Sequence, residues 1–271
     1  MVSRIVLAMG IDYVLHRDCG AKQRLGVERL VELCKSRSRA DAVLAMVRRG
    51  GDPRPPSEIA LTIAVETPEG TTDRQVTIQT LYDESVPLDA ERAGCATCPA
   101  DRGAGGFGCY RSIPYPIPDA AEAWLMARLP RTIETTAGQL LTRALDDFGW
   151  DGAQAAALRA EDDTFFESRV PYGVRWGDGD DAREVSSDQL VHLLFHVGHL
   201  EPTHSMMAAL FLGVLDHDLD LDVLRDPAER ARRLAAAVIA APADAAVQPI
   251  ADFVATLATA AASDLVVLID G

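Results

Sequence analysis

Between Gly94 and Pro118 the chain carries five glycines, four prolines and three cysteines, and no regular helix can run through it. Pro99, Pro114, Pro116 and Pro118 each lack a backbone N–H and push the preceding residue out of helical geometry. Gly94, Gly103, Gly105, Gly106 and Gly108 admit backbone conformations that other residues resist. Whatever this segment does, it does as a loop. It divides the chain into a strand-containing part, 1–118, and a mainly helical part, 119–271, with a boundary near Pro118. The two parts are read as separate domains or as halves of one. The fold class expected is α+β.

The N-terminal part opens with an apolar run, Ile5 to Leu15, read as a strand with Gly10 inside it. From Leu25 to Arg49 the apolar residues recur at helical spacing, and two helices broken near Ser36–Ser38 are expected. Lys35, Arg37, Arg39, Arg48 and Arg49 read as the solvated face of those helices. Alternation then takes over. Ile59, Leu61, Ile63 and Val65 on one side of Pro68-Glu69-Gly70, and Val76, Ile78 and Leu81 on the other, predict a β-hairpin.

Beyond Pro118 the spacing predicts helices over about 119–129, 133–148 and 151–161, and an extended stretch from Phe165 to Trp176 before the turn Gly177–Asp181. Ser186, Ser187 and Asp188 can cap a helix reaching to about Gly198. Pro202 can open the next, to about Leu215. Two alanine-rich helices over about 227–240 and 247–262 follow, and Leu265 to Ile269 closes the chain as a buried strand.

The chemistry concentrates in the central loop. Cys95 and Cys98 are separated by two residues, and Cys109 follows after ten more. Two thiolates at that gap can share one ion, and soft thiolates are the ligands that zinc and iron–sulfur clusters select. The expectation is a structural zinc held by Cys95, Cys98 and Cys109, in a protein that works by binding a partner. A fourth ligand is sought in Cys19, in His16 (whose spacing to Cys19 repeats the two-residue gap), or among the histidines further on. An iron–sulfur cluster is the alternative cofactor. Two other functions stay open: a metal-dependent enzyme, and an iron–sulfur or dithiol redox sensor. The dithiol version is weakened because no helical pattern follows the pair, so no helix dipole would lower a thiol pKa. Cys34, beside Leu33 and Val31, reads as a small buried hydrophobe.

A second concentration lies at His192, His196 and His199. On a continuous helix these fall within roughly 60° of one another, on a segment otherwise apolar all round. The metalloprotease pattern needs a glutamate directly after the first histidine, and Leu193 stands there, so that reading fails. The stripe is read as a core feature with carboxylate partners, or as a ligand set. Gly103, Gly105 and Gly108 match a phosphate-loop spacing without its strand and helix. Asp216, Asp218, Asp220 and Asp222 lack the glycine and glutamate of a calcium loop.

Charge supplies the exclusions. The formal net charge is −15 over 271 residues, a surface that repels phosphate backbones and anionic headgroups. No nucleic-acid or membrane partner is expected. Asp244, Asp252 and Asp264 interrupt the apolar C-terminal run, no export signal is read at the N-terminus, and a cytoplasmic location is expected.

Overall fold

A computed structural model describes residues 10–67, 70–95, 98–101, 106–161, 164–177, 182–237 and 239–270. Helix and strand are mixed, as an α+β chain requires, with the strand hairpin in the N-terminal half and the helices dominating the C-terminal half. The chain divides into two compact units, one built from residues 18–110 and the other from residues 9–17 together with 111–271.

The first unit is organised by one long helix. After α1 (Gly20–Leu25), Gly26 takes φ +79° and the chain re-enters helix as α2 (Val27–Arg49). The break expected near Ser36–Ser38 is therefore at Gly26, and the serines stay helical. Tertiary contacts explain this: Arg37 donates from Nε to Ser85 Oγ at 2.6 Å, and Ser36 Oγ donates to Glu84 Oε2 at 3.3 Å. The buried face of α2 does the rest, with Leu30, Leu33, Ala40 and Val43 each at most 2% exposed.

The predicted hairpin is present. β2 (Ala60–Thr67) pairs antiparallel with β3 (Gly70–Thr77) in a register that sets Ala60 opposite Thr77 and Ile63 opposite Arg74. Pro68 and Glu69, at its tip, lie outside the described residues. Ile78 and Leu81 belong instead to α3 (Ile78–Ser85), where Thr77 caps the first turn by accepting from the Thr80 N–H at 3.1 Å. Both pack with Ala40, Val43, Leu61 and Val76 in one apolar cluster. A short α4 (Pro87–Glu91) and a 3-10 turn over Arg92–Cys95 follow. Neither α3 nor α4 is visible as a helical pattern in the sequence.

The second unit has a four-stranded sheet in the order β4 (Tyr110–Pro114), β1 (Gly10–His16), β8 (Val266–Asp270), β7 (His199–Leu200). The predicted first strand is thus present from Gly10, with Ile5 to Met9 outside the described residues. The chain's last strand pairs antiparallel with its first, Tyr13 opposite Ile269. A Cβ on Gly10 would lie 3.2 Å from the Pro114 Cα, so the described start of β1 meets the end of β4.

Helices α5 (Asp119–Met126), α6 (Thr136–Phe148) and α7 (Ala153–Ala160) fall where the spacing put them. β5 (Gly173–Trp176) and β6 (Arg183–Ser186) form a second hairpin around the expected turn, of which 178–181 lie outside the described residues. Ser186 begins α8 (Ser187–Phe195) with a complete capping box to Gln189. α9 (Pro202–Phe211) and α10 (Pro227–Ala236) both carry proline in the first turn.

α11 (Gln248–Ser263) is the central helix of this unit. The stretch 245–263 is long and apolar enough to cross a membrane by length and composition, the only such helix among the described residues. Its apolar length is used internally, however. Phe253, Val254 and Leu257 are fully buried, and the Phe253 ring meets Tyr13 edge-on at 5.0 Å and Phe195 at 4.7 Å.

One buried ionic group also sits in the second unit. Arg159 donates to Glu122 Oε2 at 2.6 Å and to Asp188 Oδ1 at 2.7 Å, and its guanidinium lies 4.1 Å from the Phe166 ring centroid. Ser187 Oγ completes the carboxylate of Glu122 at 2.8 Å. Burial works against the charge on Arg159, and the hydrogen bonds to Glu122 and Asp188 outweigh it, holding its pKa above the ordinary value.

Candidate thiol site

All five cysteines lie in the first unit, and all six histidines lie in the second. This segregation governs what either set can do.

Cys19 precedes α1 with extended backbone, φ −146° and ψ 162°. Cys34, one turn after Leu30 on α2, is 5% exposed and packs with Leu30, Leu33 and Leu88, as its apolar neighbours in sequence predict. Cys95 closes the 3-10 turn, and the Cys98 N–H donates back to the Cys95 carbonyl at 2.9 Å. The Asp101 N–H donates in turn to the Cys98 carbonyl at 2.9 Å, and Asp101 Oδ1 accepts from the Gly108 N–H at 2.8 Å. The loop then folds back over Cys95. Gly106 takes φ +94°, a conformation that favours glycine, and a Cβ there would lie 3.4 Å from the Cys95 Cβ, in ordinary contact. The backbone of Phe107 hydrogen-bonds the Cys95 sulfur. Phe107 and Tyr110, on either side of Cys109, pack onto the cluster that contains Cys34.

The thiols share one electrostatic neighbourhood. Burial first, then negative charge on Cys109 and Cys95, pushes Cys34 up to about 12. Burial likewise pushes Cys109 up to about 11, with Lys22 opposing and Cys95, Cys98 and Cys19 reinforcing. Cys95 is raised by burial first, against the Phe107 hydrogen bond, and then by Asp101, Cys98 and Cys19. Each thiol is near enough to others to oppose their ionisation. The buried cation in this field is Lys22, 6% exposed on α1, which favours the thiolates of both Cys109 and Cys34. Sequence reading overlooked it. The signal was its position one helical turn after Cys19.

The expectation of a structural zinc is corrected here. Among the described residues, no group of three or more His, Cys, Asp or Glu side chains comes together in a way that could hold a metal ion. Part of the reason is composition: residues 18–110 contain no histidine, so the mixed cysteine–histidine set has no second ligand type within the unit. Another part is packing, since Leu30, Leu33, Leu88, Phe107 and Tyr110 surround Cys34. His16, proposed as a partner of Cys19, lies on β1 of the second unit.

The histidine stripe also resolves differently from its expected helical form. α8 ends at Phe195, three residues short of the expected Gly198. Gly198 turns the chain with φ +72°, its carbonyl accepts from the Ile269 N–H at 2.8 Å, and His199 pairs with Leu268 as part of β7. Strand pairing to β8 thus takes over the backbone that would have continued the helix. His192 and His196 remain neighbours, with ring centroids 6.0 Å apart and both Nδ1 atoms buried without a hydrogen-bond partner among the described residues. Burial, then His192, lowers the pKa of His196. His199 is turned away to an exposed position, 3.6 Å from Glu201 Oε1.

No protein-family model matches the chain, and no curated protein or solved structure matches it.

Proposed function

We propose that residues 18–110 serve as a thiol redox switch in which Cys95 and Cys98 pass between a dithiol and an intramolecular disulfide. The observation that carries this reading is the hydrogen-bonded turn from Cys95 to Cys98, set in the one unit that holds every cysteine of the chain. A turn closed by that bond brings its first and fourth Cα atoms within about 7 Å, and a disulfide needs roughly 4.4–6.8 Å.

The co-reactant is a small-molecule disulfide of the glutathione class. The sulfur of Cys98, the more exposed residue of the pair, attacks one sulfur of the oxidant and releases one small thiol. The Cys95 sulfur then attacks the Cys98 sulfur of the mixed disulfide and releases the second. Two protons and two electrons leave the protein dithiol and appear in two molecules of small thiol.

The environment favours a stoichiometric switch over a turnover catalyst. A catalytic dithiol uses a helix N-terminus or an adjacent cation to lower its pKa, whereas Cys95 ends a 3-10 turn and burial raises its pKa. Oxidation therefore quickens as pH rises towards the thiol pKa.

Titration of the reduced protein with oxidised glutathione, followed by thiol counting and peptide mapping, tests the reading. Two thiols are expected to disappear with a Cys95–Cys98 link, and Cys95→Ser is expected to stop at a glutathione adduct on Cys98. A folded protein that keeps all five thiols, or that links other cysteines instead, overturns it.

A further inference from the structure

A cleft of about 320 Å³ opens in the second unit between the turn that follows α9 and the outer face of α10. Leu215, Leu219 and Ala236 supply its apolar wall, and Asp216, Arg232 and Arg233 its polar groups. The cleft is shallow and open to solvent, with an apolar surface and few polar groups, and its volume is at the low end of the range of small-molecule sites.

Charge identifies what would enter. The chain as a whole is strongly acidic, yet α10 carries Arg230, Arg232 and Arg233 against the single carboxylate of Glu229. Glu229 already orders the two arginines of the cleft. It accepts from Arg232 Nε at 2.7 Å and Nη2 at 2.6 Å, and from Arg233 Nε at 2.7 Å. Those bonds hold Glu229 down to about 2, so it stays an anion at any ordinary pH. They leave both terminal nitrogens of Arg233, and Nη1 of Arg232, without a hydrogen bond among the described residues. Asp216, whose Oδ1 accepts from the Asp218 N–H at 3.0 Å, also lines the cleft as a carboxylate. The cleft thus offers oriented, unused guanidinium donors at the edge of an aliphatic surface.

We infer that this cleft binds a small aliphatic carboxylate, its acid group on Arg232 and Arg233 and its hydrocarbon tail against Leu215, Leu219 and Ala236. A fork of guanidinium donors suits a planar carboxylate, and such charge-assisted bonds are roughly twice as strong as neutral ones. The site is independent of the thiols: it lies in the other unit and uses no cysteine.

The test uses the full chain, isotope-labelled, with isocaproate as the probe and isocaproamide as its uncharged counterpart. Saturable amide shifts confined to Val214–Leu219 and Arg232–Ala237 are expected with the acid, and binding at least about tenfold weaker with the amide. Arg233→Met keeps the aliphatic stem and is expected to weaken isocaproate by about tenfold or more, and Arg232→Met, at a more exposed position, by less. Leucine tested beside isocaproate separates the two sources of such a group: tighter leucine assigns the cleft to amino acids, weaker leucine to simple carboxylic acids. Absence of saturable shifts at these residues overturns the proposal. So does equal binding of acid and amide, or full binding in the folded Arg232→Met/Arg233→Met protein.

Discussion

The two units solve the same problem, keeping polar chemistry inside a folded core, in opposite ways. In the second unit the deepest charges are matched: Arg159 meets Glu122 and Asp188 with Ser187 filling in, so little polar capacity is left over. In the first unit the buried reactive groups are thiols that keep their protons, because burial and mutual repulsion both disfavour the thiolate. A matched ion group is rigid and expensive to disturb on one side only. A nest of neutral thiols is inexpensive to bury and changes its bonding when an oxidant arrives. One buried centre holds structure, and the other is free to react.

The sharpest way to break this comparison is to remove the cation from the second unit. Arg159→Met strands two buried carboxylates and is expected to cost about 3–5 kcal/mol. Trp124, Trp150 and Trp176 all lie in the second unit, so tryptophan fluorescence during urea denaturation follows that unit alone. Its midpoint should fall steeply, with thiol oxidation stoichiometry in the folded protein unchanged. If the oxidation also changes, the units are not independent and the contrast fails.

Alkali should act on the first unit instead. A thiol whose folded pKa exceeds its unfolded one stabilises the fold below the unfolded value, and that stability is lost as pH climbs towards the folded value. For Cys34 the window runs from 9.0 to about 12. Between pH about 9 and about 10.5 this single thiol is expected to remove about 2 kcal/mol. Far-UV circular dichroism in urea should show an early phase that moves down with pH, absent or flatter in Cys34→Ala, while the tryptophan phase holds. A tryptophan phase that moves equally would place the pH sensitivity in both units.

A smaller effect sharpens the account of the matched centre. Gly152 has φ +77°, and a Cβ there would lie 2.8 Å from the backbone of Asp188 and Gln189. Gly152→Ala is expected to cost about 1–3 kcal/mol by combining left-handed strain with displacement of Asp188 from Arg159. A neutral result would mean that the α7–α8 approach tolerates slack. The smallest expected effect belongs to the surface: Arg143 and Asp147 on α6 are 78% and 58% exposed, and Arg143→Ala should change stability by no more than about 0.5 kcal/mol.

What the sequence disclosed follows from how far each signal reaches along the chain. The helix cap around Ser186, the hairpin alternation from Ile59 to Val76 and the closing strand after Leu265 are written within a few residues, and all three are present in the fold. The serines at 36 and 38 and the histidine at 199 were misread because partners far along the chain decide their conformation: Glu84 and Ser85 for the first, Leu268 for the second. α3 escaped notice because Ile78 and Leu81 continue the apparent alternation of β3, although Thr77 carried a legible cap. Loop character and glycine tolerance around Cys95 were readable. Whether the donors would converge on one ion was not, since spacing along a loop does not determine where its side chains meet.

One feature of the sheet bears on how the protein is made. β1 lies between β4 and β8, so among the described residues the second unit pairs an early strand of the chain with a late one. β4 can join β1 once residue 114 has emerged, but the other edge of β1 has to wait for β8. At ordinary synthesis rates that wait is roughly ten to thirty seconds. Residues 18–110 are complete well before it ends, so during every round of translation a finished thiol unit precedes a half-assembled sheet. That open edge of β1 is the nascent chain's point of greatest exposure to mispairing with another chain.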